Sequence, residues 1–260
     1  MPPANKLKEF YRRKFKKNYI VSFPKSGRTW LRMLIGKSLQ LQYGLEEKEI
    51  NDLNRLTALV SLPRIKLTHD SDPHKVSIDQ IKNNKRRYKW HKTLFLTRDP
   101  RDIMVSLYFH ETKRTGNFSG TLKEFLRQED NPLDKMIKFF NIWGKNLSEM
   151  KNTYLLTYEE MSNDTSGVLR DVLRFMDLPR VDDHIIGEAV DYCTFSNMRK
   201  MEASKSFDVF WLKPSNEEDS QSFKTREGKV NSYVKYMDRE DIELINSKLS
   251  NELKYFTFLI

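Results

Sequence analysis

YIVSFPKSGRTW, residues 19–30, is a short apolar run that breaks at Pro24 into a Lys-Ser-Gly-Arg-Thr cluster. A buried strand that hands small, polar and cationic residues to a helix start is suited to hold a phosphate or sulfate. The first backbone N–H groups of the helix point at the anion, the helix dipole favours it, and Lys25 adds a full charge. This is not the Walker loop: the lysine precedes the glycine, and Pro24 stands where a leading glycine would be. An ordinary strand-to-helix turn would also use these residues, so the stretch needs support from the rest of the chain.

Three runs read as strands buried on both faces of a parallel sheet: Tyr19–Phe23, Thr93–Thr97 and Tyr154–Thr157. Apolar residues at helical spacing follow the first two: Trp30, Leu31, Leu34, Ile35 and Leu39, then Ile103, Met104, Leu107 and Tyr108. Further helices are predicted over Leu122–Arg127, Pro132–Met150, Thr165–Met176 and Asp238–Tyr255. Strands alternating with helices predict an α/β fold, with ligands beyond the carboxyl ends of the strands. Residues 111–120 and 204–222 read as loops, the second as a mobile one carrying Phe207, Phe210 and Trp211.

The second strand leads into Arg98-Asp99-Pro100-Arg101-Asp102. Pro100 suits a first helical turn, Arg98 sits at the strand end where its guanidinium can fork onto a phosphate, and Ser106 shares a helix face with Asp102. An arginine and a hydroxyl together suit a phosphate monoester; an Arg-Asp capping network without ligand would look the same.

Taken together, these segments resemble the sulfotransferases that use 3′-phosphoadenosine 5′-phosphosulfate (PAPS), of the cytosolic type. FPKSGRTW at 23–30 resembles that family's 5′-phosphosulfate loop, and RDPRDIMVSLYFH at 98–110 its 3′-phosphate segment, in the expected order and separation. Fainter similarities follow in Tyr158-Glu159-Glu160-Met161, in the segment from Cys193 to Met198, and in Arg226-Glu227-Gly228. PRIKLTH at 63–69 is similar to the family's PRxxKTH, whose histidine removes the acceptor proton.

The resemblance implies a P-loop-like three-layer fold with a central, mainly parallel sheet flanked by helices, spanning 1–260 as a single domain. It implies PAPS as donor and its 3′,5′-bisphosphate, PAP, as product, with no metal required. Lys25, His69 and Ser106 would be catalytic. Lys25, Ser26, Gly27, Arg28 and Thr29 would hold the 5′-phosphosulfate; Arg98, Ser106, Arg226, Glu227 and Gly228 the 3′-phosphate; Trp30, Phe195 and Tyr158 the adenine. The acceptor would be a hydroxyl on a small molecule, lipid or glycan, shaped by loops around 40–62, 70–90, 111–121 and 204–222.

Several positions depart from the family pattern. Leu67 stands where the family has the lysine of KTH; Lys66 is one residue early and, on an extended strand, on the opposite face. Glu227 replaces a lysine, Cys193 a threonine, and Asn231-Ser232-Tyr233 the usual Gly-Asp-Trp. Arg28 adds a cation, as in some bacterial-looking members. Of the other histidines, His110 falls inside the second motif, where helix packing is its expected role.

Composition sets the outer bounds. With 38% apolar and 12% aromatic residues, a chain of 260 residues can fill a sizeable core, which excludes disorder for its body. The net charge of +10 points to anionic partners without choosing among them. Arg12, Arg13, Lys14, Lys16 and Lys17 make the N-terminal segment basic, which most simply reads as a solvated face. Cys193 is the only cysteine, so no internal disulfide forms. No stretch has the length and apolarity of a secretion signal or membrane span, so a soluble, cytoplasmic protein is expected. Nucleic acid is not an expected partner, and oligomeric state is not legible. Two other readings stay open: a nucleotide-dependent kinase on a related fold, for which the Gly-Lys-Ser/Thr loop and a magnesium carboxylate are missing, and a non-catalytic polyanion-binding protein.

Overall fold

The structure, a computed structural model, describes residues 17–204 and 214–259. Its centre is a four-stranded, all-parallel sheet: β1 (Lys17–Ser22), β2 (Arg64–Thr68), β3 (Thr93–Thr97) and β4 (Thr153–Thr157), in the order β2-β1-β3-β4. Three of these strands are those expected, with ends moved by one or two residues. β2 is new. Its sequence RIKLT alternates cationic and apolar side chains because it is an edge strand: Ile65 is buried while Lys66 is exposed. Lys66 instead lines a separate surface depression with Tyr19, Arg87 and Tyr88.

Among the described residues ten α-helices accompany the sheet: α1 (Arg28–Tyr43), α2 (Leu53–Leu59), α3 (Pro100–Phe109), α4 (Leu122–Arg127), α5 (Pro132–Ser148), α6 (Tyr158–Asn163), α7 (Thr165–Phe175), α8 (Asp183–Tyr192), α9 (Phe195–Ala203) and α10 (Arg239–Glu252). Pro100 occupies the first turn of α3, and Asp99 caps it by accepting from the Arg101 N–H at 2.8 Å. Helices α2, α6, α8 and α9 go beyond the expected set. Each is short, and α2 and α6 rest on strands β2 and β4 while α8 rests on α1 and α7, so tertiary packing rather than a long apolar stripe stabilises them. Residues 40–62, expected as a loop, are largely helical. The first part of the 111–120 loop is a π-helical turn, His110–Thr115, that continues α3.

Side-chain alternation on the strands divides the interior into two layers. Ile20, Leu94 and Leu96 pack under α1, α7 and α8 against Leu34, Ile35, Leu169, Val172 and Ile186. Val21 and Phe95 face the other way, onto α3, α5 and α10. There Phe95 stacks on Phe139 and Phe256, with ring centroids 6.0 and 5.3 Å apart, and meets Trp143 at 5.5 Å. Helices on both faces of a parallel sheet give the three-layer α/β sandwich.

The four strand ends converge on one edge. β1 runs into the loop carrying Lys25, β2 into His69, β3 into Arg98 and β4 into Tyr158. Just past β2, Asp70, Ser71 and Asp72 are all left-handed, with φ of 53°, 78° and 49°. Such a conformation costs roughly 1 kcal/mol or more per non-glycine residue. The Asp70 carboxylate anchors it, pairing with buried Lys85 and accepting from Arg87 Nη2 (2.6 Å), the Tyr88 hydroxyl (2.7 Å) and Trp143 Nε1 (3.1 Å).

This anchor generates a prediction. Asp70→Ala leaves Lys85, only 1% exposed, as an uncompensated buried charge. Urea unfolding should show a loss of about 3–5 kcal/mol; a loss under about 1 kcal/mol would mean that Lys85 is satisfied without Asp70.

Candidate active site

The loop between β1 and α1 is built to present N–H groups. Lys25 and Gly27 are both left-handed, with φ of 73° and 92°. The Ser26 hydroxyl donates back to the Phe23 carbonyl at 3.0 Å and staples the turn from inside. Helix α1 then starts at Arg28 with Gly27 as N-cap, no capping side chain and no acidic residue in its first turn. Trp30 N–H donates to the Gly27 carbonyl at 2.9 Å, but the Arg28 and Thr29 N–H groups have no acceptor among the described residues, the condition for an anion site. A Cβ on Gly27 would collide with the Tyr158 ring, so the loop lies directly on that ring. Arg98 covers the same ring, its guanidinium 4.3 Å from the centroid.

Arg98 and Arg226 form a second cationic corner. Arg98 Nη2 donates to the Lys229 carbonyl at 2.9 Å and pairs with Asp102 at 3.2 Å, so the fork is partly used by the protein rather than wholly free. Arg226 Nη1 donates to the Tyr236 hydroxyl at 2.7 Å, and its guanidinium lies 4.4 Å from the Phe109 ring. The Nε of each arginine is buried with no hydrogen-bond partner among the described residues. Two unspent N–H donors fit a phosphate monoester there.

Asp102, fully buried, ties the corner together. It accepts from the Asn231 N–H (3.0 Å), the Ser232 hydroxyl (2.9 Å) and the Tyr233 N–H (2.9 Å). The departure at 231–233 is thus accommodated: Asn231 takes the left-handed conformation, φ 57°, that asparagine tolerates in place of glycine. Glu227 lines the cleft, but its carboxylate accepts from the Tyr236 hydroxyl and pairs with Lys235 at 3.5 Å. It braces Arg226 from behind; an ionised carboxylate is not a phosphate ligand. Gly228 is left-handed, φ 65°, and a Cβ there would strike Phe195, whose ring is 38% exposed at the cleft rim. Trp30 donates from Nε1 to the Cys193 carbonyl at 3.0 Å beside it. Burial pushes the Cys193 thiol up to about 12, which rules it out as a nucleophile.

Lys25 lies among Arg114, Arg226 and Arg98. Burial first, then those cations beginning with Arg114, push its pKa down to about 7, against the opposing pull of Glu202. Glu202, 1% exposed, pairs with Arg114 at 3.2 Å and accepts from the N–H groups of Lys224 (2.5 Å) and Thr225 (2.8 Å). Burial and its cationic neighbours also push Lys224 well below the usual lysine range. Sequence reasoning missed Lys224, Arg114 and Glu202. Lys224 stands two residues before Arg226, and this proximity was its only signal.

His69 takes its place from strand pairing. Val21 lies opposite Thr68 in the β1–β2 register, which brings His69 beside Ser22. Its Nδ1 is 2.9 Å from the Ser22 carbonyl oxygen, which can only accept, so Nδ1 carries the proton. Burial, followed by the Arg28 charge, holds the imidazole well below the ordinary histidine pKa. The ring is therefore neutral at pH 7, with Nε2 as its basic nitrogen. The His74 ring lies 6.5 Å away, edge-on. His110 is not a simple helix-packing residue: it opens the π-helical turn and lines the cleft.

One cleft of about 320 Å3 is lined by every candidate residue named from the sequence except Ser26. It joins Lys25 and Arg98, from neighbouring strands, in one space. The aromatic loop around Phe207, Phe210 and Trp211, and the basic segment 1–16, lie outside the described residues. Among the described residues there is no helix long and apolar enough to cross a membrane, and no group of three or more histidine, cysteine or carboxylate side chains placed to hold a metal.

Residues 16–257 match the family model described as the sulfotransferase domain. Cytosolic sulfotransferase 7 of Arabidopsis thaliana is 24% identical over 221 residues, covering 72% of this chain and 65% of its own length. Luciferin sulfotransferase of Photinus pyralis is 26% identical over 226 residues, covering 71% of this chain and 57% of its own. This chain thus spans less than two thirds of these curated relatives. Among solved structures, mouse sulfotransferase SULT7A1 complexed with PAP has the same fold (TM-score 0.62, 18% identity, covering 94% of this chain and 86% of the other). So has retinol dehydratase in complex with androsterone and PAP (TM-score 0.62, 16% identity, 95% and 85%). With the family match running almost end to end over a parallel sheet that gathers these motifs at one edge, the chain belongs to the sulfotransferase family.

Proposed function

We propose that this protein transfers a sulfuryl group from PAPS to a hydroxyl acceptor. The observation that carries the reading is a cleft with two separate anion corners: an uncapped helix start with Lys25 at one, and the unspent Nε donors of Arg98 and Arg226 at the other. Two anion corners flanked by Trp30 and Phe195 suit a nucleotide bearing both a 5′- and a 3′-phosphate. Bound there, PAPS supplies the activated sulfuryl group.

The chain's own residues supply the rest. Backbone N–H groups from Lys25 to Thr29 hold the 5′-phosphate, and Arg98, Ser106, Arg226 and Gly228 the 3′-phosphate. His69 Nε2 accepts the proton of the acceptor hydroxyl as its oxygen bonds to sulfur. The sulfur–oxygen bond to the 5′-phosphate breaks, and Lys25 stabilises the electron pair left on the phosphate oxygen.

Three measurements test this. PAP at a hundred times its Kd should raise the melting temperature by roughly 5 °C or more, with ATP and magnesium giving much less; equal shifts would favour the kinase reading. Next, Lys25 near pKa 7 is largely neutral in the free protein at pH 8, and a bound phosphate favours its charged form. PAP binding should therefore take up close to one proton at pH 8 and almost none below about pH 6, so affinity falls as pH rises from 7 to 9. Calorimetry in buffers of different ionisation enthalpy measures this, and zero uptake at pH 8 would show Lys25 already charged. Finally, His69→Ala should lower kcat by about 10²–10⁴ with PAP affinity little changed, and the acid limb of wild-type kcat/KM should lie below pH 6.5. Full turnover by the variant would remove His69 as the base.

A further inference from the structure

The cleft has two chemically different ends. Its apolar lining is Trp30, Cys193, Phe195 and Met198, with Phe195 against Gly228 and Trp30 bonded to the Cys193 carbonyl. The end beside His69 is walled by Arg28, His74, Lys75, His110 and Lys224. The carboxylates near this end are Asp72, exposed at the rim, Glu111, whose Oε2 already accepts from the Thr115 hydroxyl and the Asn117 amide, and Glu202, spent on Arg114 and the N–H groups of Lys224 and Thr225.

The polar atoms of this wall are not all spent inside the protein. Arg28 Nη1, His74 Nδ1 and His110 Nδ1 are buried with no hydrogen-bond partner among the described residues. A greasy acceptor would bury these groups further and leave them unmatched. Arg28 is the charge that bears most on His69, and Lys224, held low by burial and then by Lys25, Arg32, Arg114 and Arg28, is favoured in its charged form by an anion beside it, which would also meet the Arg28 donor. Arg28 is tied to this end, its charge neighbours being Arg32 and Asp72, whereas those of Lys25 are Arg114, Glu202, Arg226 and Arg98. Lys25 already serves the donor; Arg28 and Lys224 together exceed what that task requires.

Resting on the sulfotransferase reading, we propose that the acceptor is itself an anion: a small hydroxyl compound with a carboxylate or phosphate close to the reacting oxygen. The hydroxyl meets His69 Nε2, and the anionic group lies between Arg28 and Lys224 with His74 and His110 as neutral partners.

The test compares matched acceptors on the PAP-loaded protein by calorimetry. The probes are 4-methylphenol, 4-hydroxyphenylacetate and 4-hydroxyphenyl phosphate, then glycerol, glycerate and glycerol 3-phosphate. In each series at least one anionic member should bind tenfold or more tightly than the neutral one, and the preferred member tells carboxylate from phosphate. Lys224→Gln and Lys75→Gln should weaken the anionic probes at least fivefold while changing the neutral probes less than twofold. With labelled PAPS the same variants should raise KM for the anionic acceptor more than they lower kcat. Equal or tighter binding of the neutral members, equal losses on both kinds of probe, or no binding of any anionic probe at 10 mM each overturns the proposal. Failure of PAP to bind the wild-type protein would instead overturn the donor reading beneath it.

Discussion

Gathering like charges in a protein cleft is unfavourable, and everything at the carboxyl edge of this sheet depends on how that repulsion is contained. Lys25, Arg28, Arg98, Arg114, Lys224 and Arg226 open onto or border one space. Two buried carboxylates stand behind them. Asp102 holds Arg98 and the 231–233 turn; Glu202 holds Arg114 and the backbone of Lys224 and Thr225. A buried carboxylate fully hydrogen-bonded in this way fixes geometry at the same time as it balances charge. Asp70 performs a similar service one layer away, holding the strained turn that follows His69.

The same field acts on the proton inventory. His69, His74 and His110 are all pushed below the ordinary histidine range, burial being the largest cause in each case, His74 to about 4 and His110 to about 2. Burial is what keeps these imidazoles neutral, helped by Arg28 at His69 and by Lys25 and Arg114 at His110, while at His74 Glu111 and Asp72 pull the other way. In His69 the Ser22 carbonyl then selects which nitrogen is bare. The base proposed at His69 and the proposed anion corners thus share one cleft.

How much of this was legible in the chain varies residue by residue. The strand-to-helix phosphate loop was readable because Pro24, Gly27 and the apolar run before them leave few other conformations. Arg98 and Pro100 were readable for the same kind of reason. β2 was not, because an edge strand alternates and RIKLT looks like surface. Glu202 was invisible: nothing in FSNMRKMEA marks one carboxylate as buried, since its partners lie on the π-turn and in residues 224–225. Arg28 was read from its motif position alone; its charge acts on His69, a nearness that the motif does not reveal. Glu227 likewise matched a motif position whose chemistry had changed. Motif reading locates backbone well; it does not say which way a long side chain turns.

The bridges from Asp102 to residues 231–233 and from Glu202 to residues 224–225 cross long stretches of sequence. All four strands and the helices of one layer, α1, α7 and α8, are encoded before them, whereas α10, which closes the other layer, follows. A nascent chain emerging from the ribosome thus closes one hydrophobic layer while the arginine and lysine walls still lack their final brace, and closes the other only once α10 is made. The braced cleft and the second layer are therefore completed together, when the last quarter of the polypeptide arrives.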